Sequence, residues 1–568
     1  MTTEQNAEKI CFPISGNLKI GEKNGCLYEG NDPICNYVPV VTKCWTEESE
    51  DGSVADYVSF RLKVDGMLTS EEYSSSFSKL RFLDFSKNAK CKEFVSHKRT
   101  MKVFDLAVRS SINGIPVRKV TAYHRLGCTT YHGEPAYLAG NRLLTKTGFV
   151  DSDDFRIEGD LQSLSLDVDL ALTERNVFDR LIEQMRLQFL AAPVLLAFTF
   201  LSLIRSRLVA CGIVPGFSLY VTGKSGAGKT MLAHLLTRIY NCQSSRNPCS
   251  TDLSSSEASI LHEMNFYRDC VFIVDDLHEE EVQASGKHLQ DKLGRILRLS
   301  GNNRAAEKMA GDHLSSMPPE AMVLSTGEFT LSVESTMARS IHVPMDSGID
   351  FKLADKAEQQ PCVLPTCVYC FLRWYLGNAV EIEKDLPEFY HRFRGELYNT
   401  SSNPHLADNY AILLLGMYIL MKYGESIGQP NCLENMDRFV QKIKNLMKNQ
   451  NEEIQKLHAK MDEIDLVKDI AELYQAGEFQ LSTSGRFRPG LDDGVIKNDV
   501  ICLVPACLLE MLKSRHPGWA ITTKQVGRQL REAGLLHMDV SGRTTEKKTE
   551  QGLYMYHIDR RKLVNFFN

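Results

Sequence analysis

The sequence predicts an α/β protein built around a parallel sheet, with an α+β domain before it and helices and a small domain after it. From residue 215 to 345, short apolar segments alternate with helical ones, which is typical of a parallel sheet covered by helices. The preceding residues form short strand-like runs separated by Gly, Asn, Asp and Ser, whereas apolar residues recur at helical spacing from about 360 to 475.

Length, composition and charge describe an ordinary globular protein with several domains. At 568 residues the chain is several times longer than a typical domain, and its 43% apolar share can fill more than one core. These values exclude a fibre and a disordered chain. A formal net charge of −6 is small for this length, so any contact with nucleic acid requires a local basic surface.

Three further stretches bear on compartment and on metal binding. The N-terminal residues MTTEQNAEKICF are charged and lack a long apolar core, so we expect no signal peptide, a cytoplasmic location and reduced thiols. The uncharged stretch 187–204 contains polar residues and a proline, which favours a buried core helix over a membrane span. Cys362, Cys367 and Cys370 have a spacing found in some iron–sulfur sites, but without a nearby fourth ligand we prefer buried structural thiols.

Changes of pattern along the chain divide it into four predicted domains. An N-terminal α+β domain is expected at 1–160 and the α/β core at 170–350. A helical lid or linker region follows at 351–478, because its apolar residues keep helical spacing without any strand pattern. The last domain, 479–568, combines two helices with two strands, HMDV and LYMYHI, on either side of a basic polar loop, an order typical of a winged helix.

The α/β core contains four predicted strands connected by helices. The predicted elements are, in order, a strand at 217–222 (FSLYVT), a helix at 230–240, a strand at 270–275 (CVFIVD), a helix around 287–299, and strands at 321–326 (AMVLST) and 340–345 (SIHVPM).

The stretch LYVTGKSGAGKT fits the pattern G-x-x-x-x-G-K-[ST] completely and stands between a predicted strand and a predicted helix. In this motif backbone N–H groups and the positive end of the helix dipole bind the phosphates of a nucleotide, here expected to be ATP. Lys229 would reach the β- and γ-phosphates, and the Thr230 hydroxyl would bind Mg²⁺. The predicted phosphate-binding residues are Gly223, Lys224, Ser225, Gly226, Ala227, Gly228, Lys229 and Thr230.

A pair of carboxylates ends the second predicted strand, in CVFIVDDLHEEE. Asp275 would complete the magnesium site, and Asp276 would orient or deprotonate the attacking water. Taken alone, the pair also fits a strand that ends in solvated acids. Ser325 and Thr326, at the tip of the third strand, could bind the γ-phosphate or the water, or Thr326 could simply form a turn with Gly327.

Arg339 precedes the fourth predicted strand, in TMARSIHV. From there its guanidinium could reach the γ-phosphate bound by a neighbouring subunit, as an arginine finger. An Arg at the start of a strand is otherwise a surface charge, so its value as a candidate comes from its position.

The order of GKSGAGKT, VFIVDD, GNNRAAEKMAGDH, LSTGE and ARSIHV resembles the AAA+ module of the MCM-like helicases of mobile genetic elements, the Cch-type proteins of chromosome cassettes. The resemblance covers most of the chain and is strongest over about 120–345. It implies a hexameric ring that hydrolyses ATP at its subunit interfaces, with Arg339 acting on the neighbouring subunit. It also implies that a hairpin around 302–313 reaches into the central channel, where Arg304 and Lys308 would contact DNA.

The chain departs from this family at two points. Asp276 stands where many AAA+ proteins carry Glu, which shortens the reach of the water-positioning group. The family's second sensor arginine has no clear counterpart, and Arg392 and Arg394 are candidates only by guess.

The C-terminal domain supplies a second predicted contact with DNA. Thr522 opens a helix with Gln525 three residues on as a capping pair, and Gly534 ends it. Basic residues on this helix and on the wing can neutralise phosphates whatever the base sequence, although they could also form the solvated face of a protein-contact module. These residues are Lys524, Arg528, Arg531, Arg543, Lys547 and Lys548.

Together these features predict an ATP-dependent DNA helicase or translocase that acts as a ring in the replication of a mobile genetic element. The expected partners are single-stranded or forked DNA, further copies of the chain in a hexamer, and accessory replication proteins, with no membrane. The alternative is an initiator or regulator that uses ATP as a switch to assemble on DNA without unwinding it. A small-molecule kinase would not need four domains, and a GTPase is disfavoured because no N-K-x-D stretch is present.

Overall fold

The computed structural model describes most of the chain, which forms two compact units. The first unit comprises the residues up to Asp167 together with Leu372–Gly377, and the second comprises Val168–Phe371 and Asn378–Asn568. The described residues are 10–11, 19–49, 52–85, 88–112, 115–277, 292–297, 299–300, 308–310, 313–315, 320–328, 334–398, 403–463, 465–516, 521–537, 545–548 and 553–567.

The strands and α-helices of this described part are numbered in chain order. The strands are β1 Ile10–Cys11, β2 Ile20–Lys23, β3 Cys26–Glu29, β4 Asp32–Cys35, β5 Tyr37–Ser49, β6 Val54–Val64, β7 Met67–Ser76, β8 Val117–Tyr123, β9 Gly127–Tyr131, β10 Glu134–Leu138, β11 Leu143–Thr145, β12 Gly148–Phe149, β13 Phe155–Ile157, β14 Ser218–Thr222, β15 Ser250–Asp252, β16 Val271–Leu277, β17 Lys308–Ala310, β18 His313–Ser315, β19 Met322–Gly327, β20 Ser340–Pro344, β21 Leu481–Ser482, β22 Gly494–Lys497, β23 Val500–Leu503, β24 Thr545–Lys548 and β25 Tyr554–Asp559. The helices are α1 His97–Ser111, α2 Glu174–Gln184, α3 Ala191–Ser202, α4 Arg205–Ala210, α5 Lys229–Thr237, α6 Glu257–Phe266, α7 Glu334–Met337, α8 Phe351–Glu358, α9 Val363–Tyr398, α10 Pro404–Ser426, α11 Cys432–Glu463, α12 Leu466–Gln475, α13 Pro505–Arg515, α14 Thr523–Glu532 and α15 Arg560–Val564.

The first unit combines three sheets with the helix α1. The sheets have the strand orders β1-β2-β3-β4, β13-β8-β5-β6-β7 and β12-β11-β10-β9. Helix α1 packs against β5, and its side chains Met101, Phe104 and Val108 recur at helical spacing. They are buried with Tyr37 and Phe60, so one face of the five-stranded sheet and one side of the helix share a core.

The centre of the second unit is a sheet of five parallel strands in the order β15-β16-β19-β14-β20. Strands β14, β19 and β20 are buried almost throughout, as parallel strands covered by other elements normally are. The four predicted strands are confirmed with shifts of one or two residues at their ends, and β15 is an additional edge strand. Because the five strands run the same way, their carboxyl ends meet at one edge of the sheet.

Helices surround this sheet. All 12 residues of α3 are buried, and the helix packs against α5 and α10, which confirms the core helix predicted within 187–204. None of the helices in the described ranges is both long and apolar enough to cross a membrane. Helices α8 to α12 follow this sheet in the chain, between residues 351 and 475.

The C-terminal region has more strands than the sequence predicts. Thr522 and Gln525 form the predicted capping box of α14, and Gly534 follows the helix with φ 65°. The predicted strand LYMYHI forms β25, whereas most of the predicted strand HMDV lies outside the described residues, and the partner β24 lies in the predicted basic loop. The sheet β21-β22-β23-β25-β24 contains three further strands. Strands β22 and β23 are joined through Asn498, whose φ of 55° suits the tight turn of a two-residue hairpin.

The predicted hairpin around 302–313 is present in part. Strands β17 and β18 pair antiparallel, with Met309 opposite Leu314, so the described hairpin lies slightly later than predicted. Arg304 lies outside the described residues, and of Lys308 only the backbone, at the start of β17, is described.

Candidate active site

A tight loop, 223–228, joins the end of β14 to the start of α5. Gly228 is the N-cap of α5 in the left-handed region, with φ 85° and ψ 22°, and a Cβ there would lie 2.7 Å from Cδ1 of Ile349. A Cβ at Gly223 would lie 2.8 Å from the carbonyl oxygen of Met345. Both positions therefore require glycine. Because the first turn of a helix leaves N–H groups without intrahelical partners, the loop and α5 present donors to an anion.

Lys229 is the first residue of α5, and its ammonium group lies over the loop. Nζ donates to the carbonyl oxygens of Gly223 at 2.8 Å and of Lys224 at 3.0 Å. These contacts hold the positive charge beside the backbone amides to which phosphate oxygens would bind.

Asp275 brings together residues from two strands and from α5. Its Oδ1 accepts a hydrogen bond from the Thr230 hydroxyl at 3.2 Å and a second, short one from the Thr326 hydroxyl. Asp275 lies near the end of β16 and Thr326 near the end of β19, at the same edge of the sheet. A carboxylate and two hydroxyl groups thus meet beside the start of α5, where loop 223–228 ends, and oxygen donors of this kind suit a hard cation such as Mg²⁺.

Ser325 and Asp276, the candidates next to Thr326 and Asp275 in the chain, are not seen in this cluster. The Ser325 hydroxyl is buried and donates to the carbonyl oxygen of Val274 at 2.8 Å, so it holds β19 to β16 instead of joining the cluster. The backbone of Asp276 belongs to β16, but its side chain lies outside what the structure describes.

A cavity of about 820 Å³ lies along α5 next to Thr230. His234, one helical turn after Thr230, lines it together with Asn247, and Nδ1 of the histidine lies 3.1 Å from the Asn247 amide nitrogen. Because that amide donates, the ring proton is assigned to Nε2. Burial lowers the pKa of His234, an effect that Asp275 opposes and Arg238 reinforces, so a neutral ring lines this cavity at pH 7.

Arg339 lies at the opposite edge of the same sheet. It immediately precedes β20, whose first residue pairs with Ser218, whereas the phosphate loop follows Thr222, which pairs with Pro344. Between these two pairs, which mark the amino and carboxyl ends of the strands, lie four residue steps, about 13 Å at 3.3 Å per residue. Arg339 is half-buried at this distant edge and is not part of the cluster around Asp275.

The predicted DNA contacts are described only on α14. Lys524, Arg528 and Arg531 are exposed, and their spacing sets them on one side of the helix. Arg543 lies outside the described residues, and for Lys547 and Lys548 only the backbone, in β24, is described.

The three cysteines considered as a metal site and the two candidates for a second sensor arginine lie within α9 or directly before it. Cys367 and Cys370 are buried, while the sulfur of Cys362 lies 3.8 Å from that of Cys242, and among the described residues no group of three or more His, Cys, Asp or Glu could hold a metal ion. Both candidates for the second sensor arginine make contacts on or near α9. Arg394 donates a hydrogen bond to Asp408, and the guanidinium of Arg392 lies over the rings of Phe389 and Phe393.

The fold of this chain is similar to that of a solved protein structure. The solved structure "SCCmec type IV Cch - active helicase" matches this chain with 13% sequence identity and a TM-score of 0.54, over 96% of this chain and 98% of that one. No protein-family model matches the chain, and no curated protein matches it in sequence. The chain therefore has a mixed α/β fold similar to that of this helicase.

Two residues of the site were not predicted. His234 stands four residues after Thr230, a helical spacing that could have placed it on the same side of α5. Asn247 follows in a loop, and no local pattern indicates its contact with His234.

Proposed function

We propose that this chain is an ATP-dependent DNA helicase or translocase that acts as a ring in the replication of a mobile genetic element. The observation that carries the proposal is the meeting of Thr230, Asp275 and Thr326 beside a complete phosphate loop, with Arg339 at the opposite edge of the sheet. The likeness of fold to a protein described as an active helicase supports strand separation as the work that hydrolysis drives.

The substrate would be a nucleoside triphosphate bound along α5. The N–H groups of loop 223–228 and the Lys229 ammonium would bind its phosphates. The nucleoside would occupy the cavity beside α5, whose lining includes Gln184, Met231 and Gln360 and whose volume of about 820 Å³ is within the usual range for small-molecule sites. The lack of an N-K-x-D stretch favours adenine over guanine.

The residues around Asp275 would prepare the γ-phosphate for attack. Thr230 and Asp275 would hold Mg²⁺, which neutralises charge on the phosphate oxygens when it is bound. The Thr326 hydroxyl fixes the orientation of the Asp275 carboxylate through their hydrogen bond. Asp276 would orient the attacking water.

Arg339 would act on the nucleotide of a neighbouring copy. About 13 Å of strand separates its edge of the sheet from the phosphate loop, which argues against a role in its own site. A ring of identical copies would bring the edge with Arg339 of each copy against the phosphate loop of the next. A hexamer is the ring we propose.

We further propose that the core is an AAA+ module and the C-terminal region a winged helix. The order of the parallel strands supports the former, and the capped helix α14 with its exposed Lys524, Arg528 and Arg531 supports the latter. The hairpin β17–β18, which lies between β16 and β19 in the chain, would contact DNA through Arg304 and Lys308. The proposed domains remain 1–160, 170–350, 351–478 and 479–568.

A strand-displacement assay on forked DNA tests this function. The full-length protein should separate the strands when ATP and Mg²⁺ are present, and Lys229→Ala should not, because it lacks the cation that binds the phosphates. If the wild type hydrolysed ATP without separating the strands, the proposed helicase function would be wrong, and a DNA-stimulated ATPase would be the function that remains.

The competing function is an ATP switch that assembles on DNA without unwinding it. The same phosphate loop and basic helix α14 would serve it. It predicts tight ATP binding, slow turnover and no stimulation by single-stranded DNA. Measuring ATP turnover with and without single-stranded DNA separates the two functions.

A further inference from the structure

A buried glutamine from the helical region holds the backbone on both sides of Arg339. Gln450, 2% exposed on α11, donates from Nε2 to the carbonyl oxygens of Met337 and Ser340, both at 2.8 Å. Its Oε1 accepts from the backbone N–H of His342 at 3.2 Å. One side chain thus bonds to three backbone groups that surround Arg339 in the chain.

A buried asparagine from α10 makes a second such contact. Asn409, 6% exposed, donates from Nδ2 to the carbonyl oxygen of Ala338 at 3.1 Å. The carbonyl oxygen of Arg339 itself accepts from the N–H of Ser218 at 3.2 Å. The four consecutive carbonyl groups of residues 337–340 therefore each accept a hydrogen bond. Asn409 and Gln450 are called the amide pair below.

The orientation of Gln450 is fixed by what its two ends contact. Besides His342 N–H, Oε1 accepts from the Tyr410 hydroxyl at 2.6 Å, and burial raises the pKa of Tyr410, which keeps this phenol a neutral donor. A flipped amide would set its NH₂ group against two donors. Since a buried amide without partners is costly, this saturated arrangement favours one placement of the chain around Arg339.

The location of the amide pair has a local cause. Helix α7 ends at Met337, and the last carbonyl groups of a helix lack intrahelical partners. Gln450 and Asn409 supply donors to the carbonyl groups at that end, directly before Arg339. The backbone of Arg339 is thereby fixed while its side chain is half-buried at the edge of the sheet. The position of a long side chain's tip depends on its backbone, and misplacement by 1 Å can cost a catalytic group roughly a hundredfold in rate.

We propose that Asn409 and Gln450 are positioning residues for Arg339. The inference rests on the proposed function, in which Arg339 acts on the ATP of a neighbouring copy. It assigns the helical region after the sheet a role in hydrolysis at that neighbour's site, although neither amide touches the nucleotide.

The first test compares two substitutions with a matched control. Asn409→Leu and Gln450→Met remove the donors with little change of size. Gln429→Met removes an amide that is 9% exposed and donates to the carbonyl oxygen of Arg175 at 3.1 Å, away from Arg339. In the full-length protein the first two should lower kcat for ATP hydrolysis at least tenfold with KM within twofold, whereas Gln429→Met should stay near wild type. Equal kcat in all three variants would overturn the inference.

Mixing subunits separates positioning of Arg339 from a general loss of structure. Gln450→Met subunits have an intact Lys229 and lack only a well-placed Arg339, so mixing them with Lys229→Ala subunits should restore hydrolysis. Mixing them with Arg339→Ala subunits should restore none. Recovery in neither mixture would mean that the variant damages its own nucleotide site, which overturns the inference. If Gln450→Met does not fold, Asn409→Leu, which loses one hydrogen bond, undergoes the same two mixtures.

The outcome for Arg339→Ala distinguishes this inference from the proposed function. If Arg339→Ala loses hydrolysis but Gln450→Met and Asn409→Leu match Gln429→Met, the function stands and the amide pair has no positioning role. If Arg339→Ala hydrolyses ATP as fast as wild type, the action of Arg339 on a neighbouring copy is wrong, and the inference falls with it.

Discussion

Asp275 and Thr230 are joined by a hydrogen bond of 3.2 Å, although they are separated by 45 residues in the chain. The bond connects the end of β16 to the first turn of α5. It sets a carboxylate and a hydroxyl oxygen side by side next to the phosphate loop, where Mg²⁺ would be bound between protein and phosphates.

Weakening either oxygen donor should weaken the use of Mg²⁺. We expect Asp275→Asn and Thr230→Val to raise the Mg²⁺ concentration for half-maximal ATP hydrolysis by about tenfold or more, because each change weakens the oxygen donor set. Titration of Mg²⁺ at saturating ATP measures this. Ser325→Ala is the control, since the Ser325 hydroxyl bonds to the Val274 carbonyl instead of to Asp275. If Asp275→Asn showed the same dependence of hydrolysis on Mg²⁺ as the wild type, the assignment of Asp275 to a Mg²⁺ site would be wrong.

Gly228→Ala should impair ATP binding. At φ 85° an L side chain costs about 1–2 kcal/mol, and its Cβ would also press on Ile349. Fluorescent ATP analogues and thermal unfolding measure the two effects. Gly485→Ala is the control, because Gly485 has φ 75° and open space around it in the C-terminal region. It should lose similar stability and keep its ATP affinity, and an equal loss of affinity in both variants would argue against a specific role of the loop.

His342 should make the protein less stable in mild acid. Burial lowers its pKa to about 4 from an ordinary 6.5, so the folded state holds a neutral ring while the unfolded state binds a proton. The unfolded state then binds more protons, and stability falls as pH drops from 6.5 towards 4, by roughly 3 kcal/mol at most.

Denaturant unfolding across this pH window provides the measurement. His342→Phe should flatten the dependence of unfolding free energy on pH, because it removes the ring that binds a proton only in the unfolded state. If unfolding free energy depended on pH as steeply in His342→Phe as in the wild type, His342 would not be the cause of the lower stability in acid.

The exposed cations of α14 should contribute to the salt dependence of DNA binding. Replacing Lys524, Arg528 and Arg531 together by Ala should lower the slope of log affinity against log salt by about 2–3 for duplex DNA, because each phosphate contact contributes about 0.9. Arg515→Ala is the control, because Arg515 lies on another helix, α13, where it pairs with Glu472 and Asp469. A slope unchanged by the triple substitution would indicate that α14 contacts protein or solvent instead.

The sequence allows the arrangement of the candidate site to be predicted because its signals are local. A strand of apolar residues, a glycine-rich loop and a helix follow one another from Ser218 to Thr237, and Asp275 ends an equally apolar strand. Parallel strands carry such residues to one edge of a sheet, so the proximity of Thr230, Asp275 and Thr326 follows from the pattern.

Other features depend on contacts between distant residues. Asn409 and Gln450 belong to helices whose apolar spacing is evident, but nothing in that spacing indicates that their amides meet the backbone beside Arg339, from 71 to 113 residues earlier in the chain. Strands β22 and β23 are four residues each, too short for a clear alternation, and they are stabilised by pairing with each other and with β21 and β25.

An ATP site shared between two copies is tested best by ATP hydrolysis in a mixture of two inactive variants. Lys229→Ala subunits retain Arg339, and Arg339→Ala subunits retain the phosphate loop, so an interface between them in the right order contains both. With equal amounts and random assembly about a quarter of the interfaces are complete, and the mixture should recover up to about that fraction of wild-type activity. No recovery at any ratio would contradict an ATP site shared between two copies of this chain.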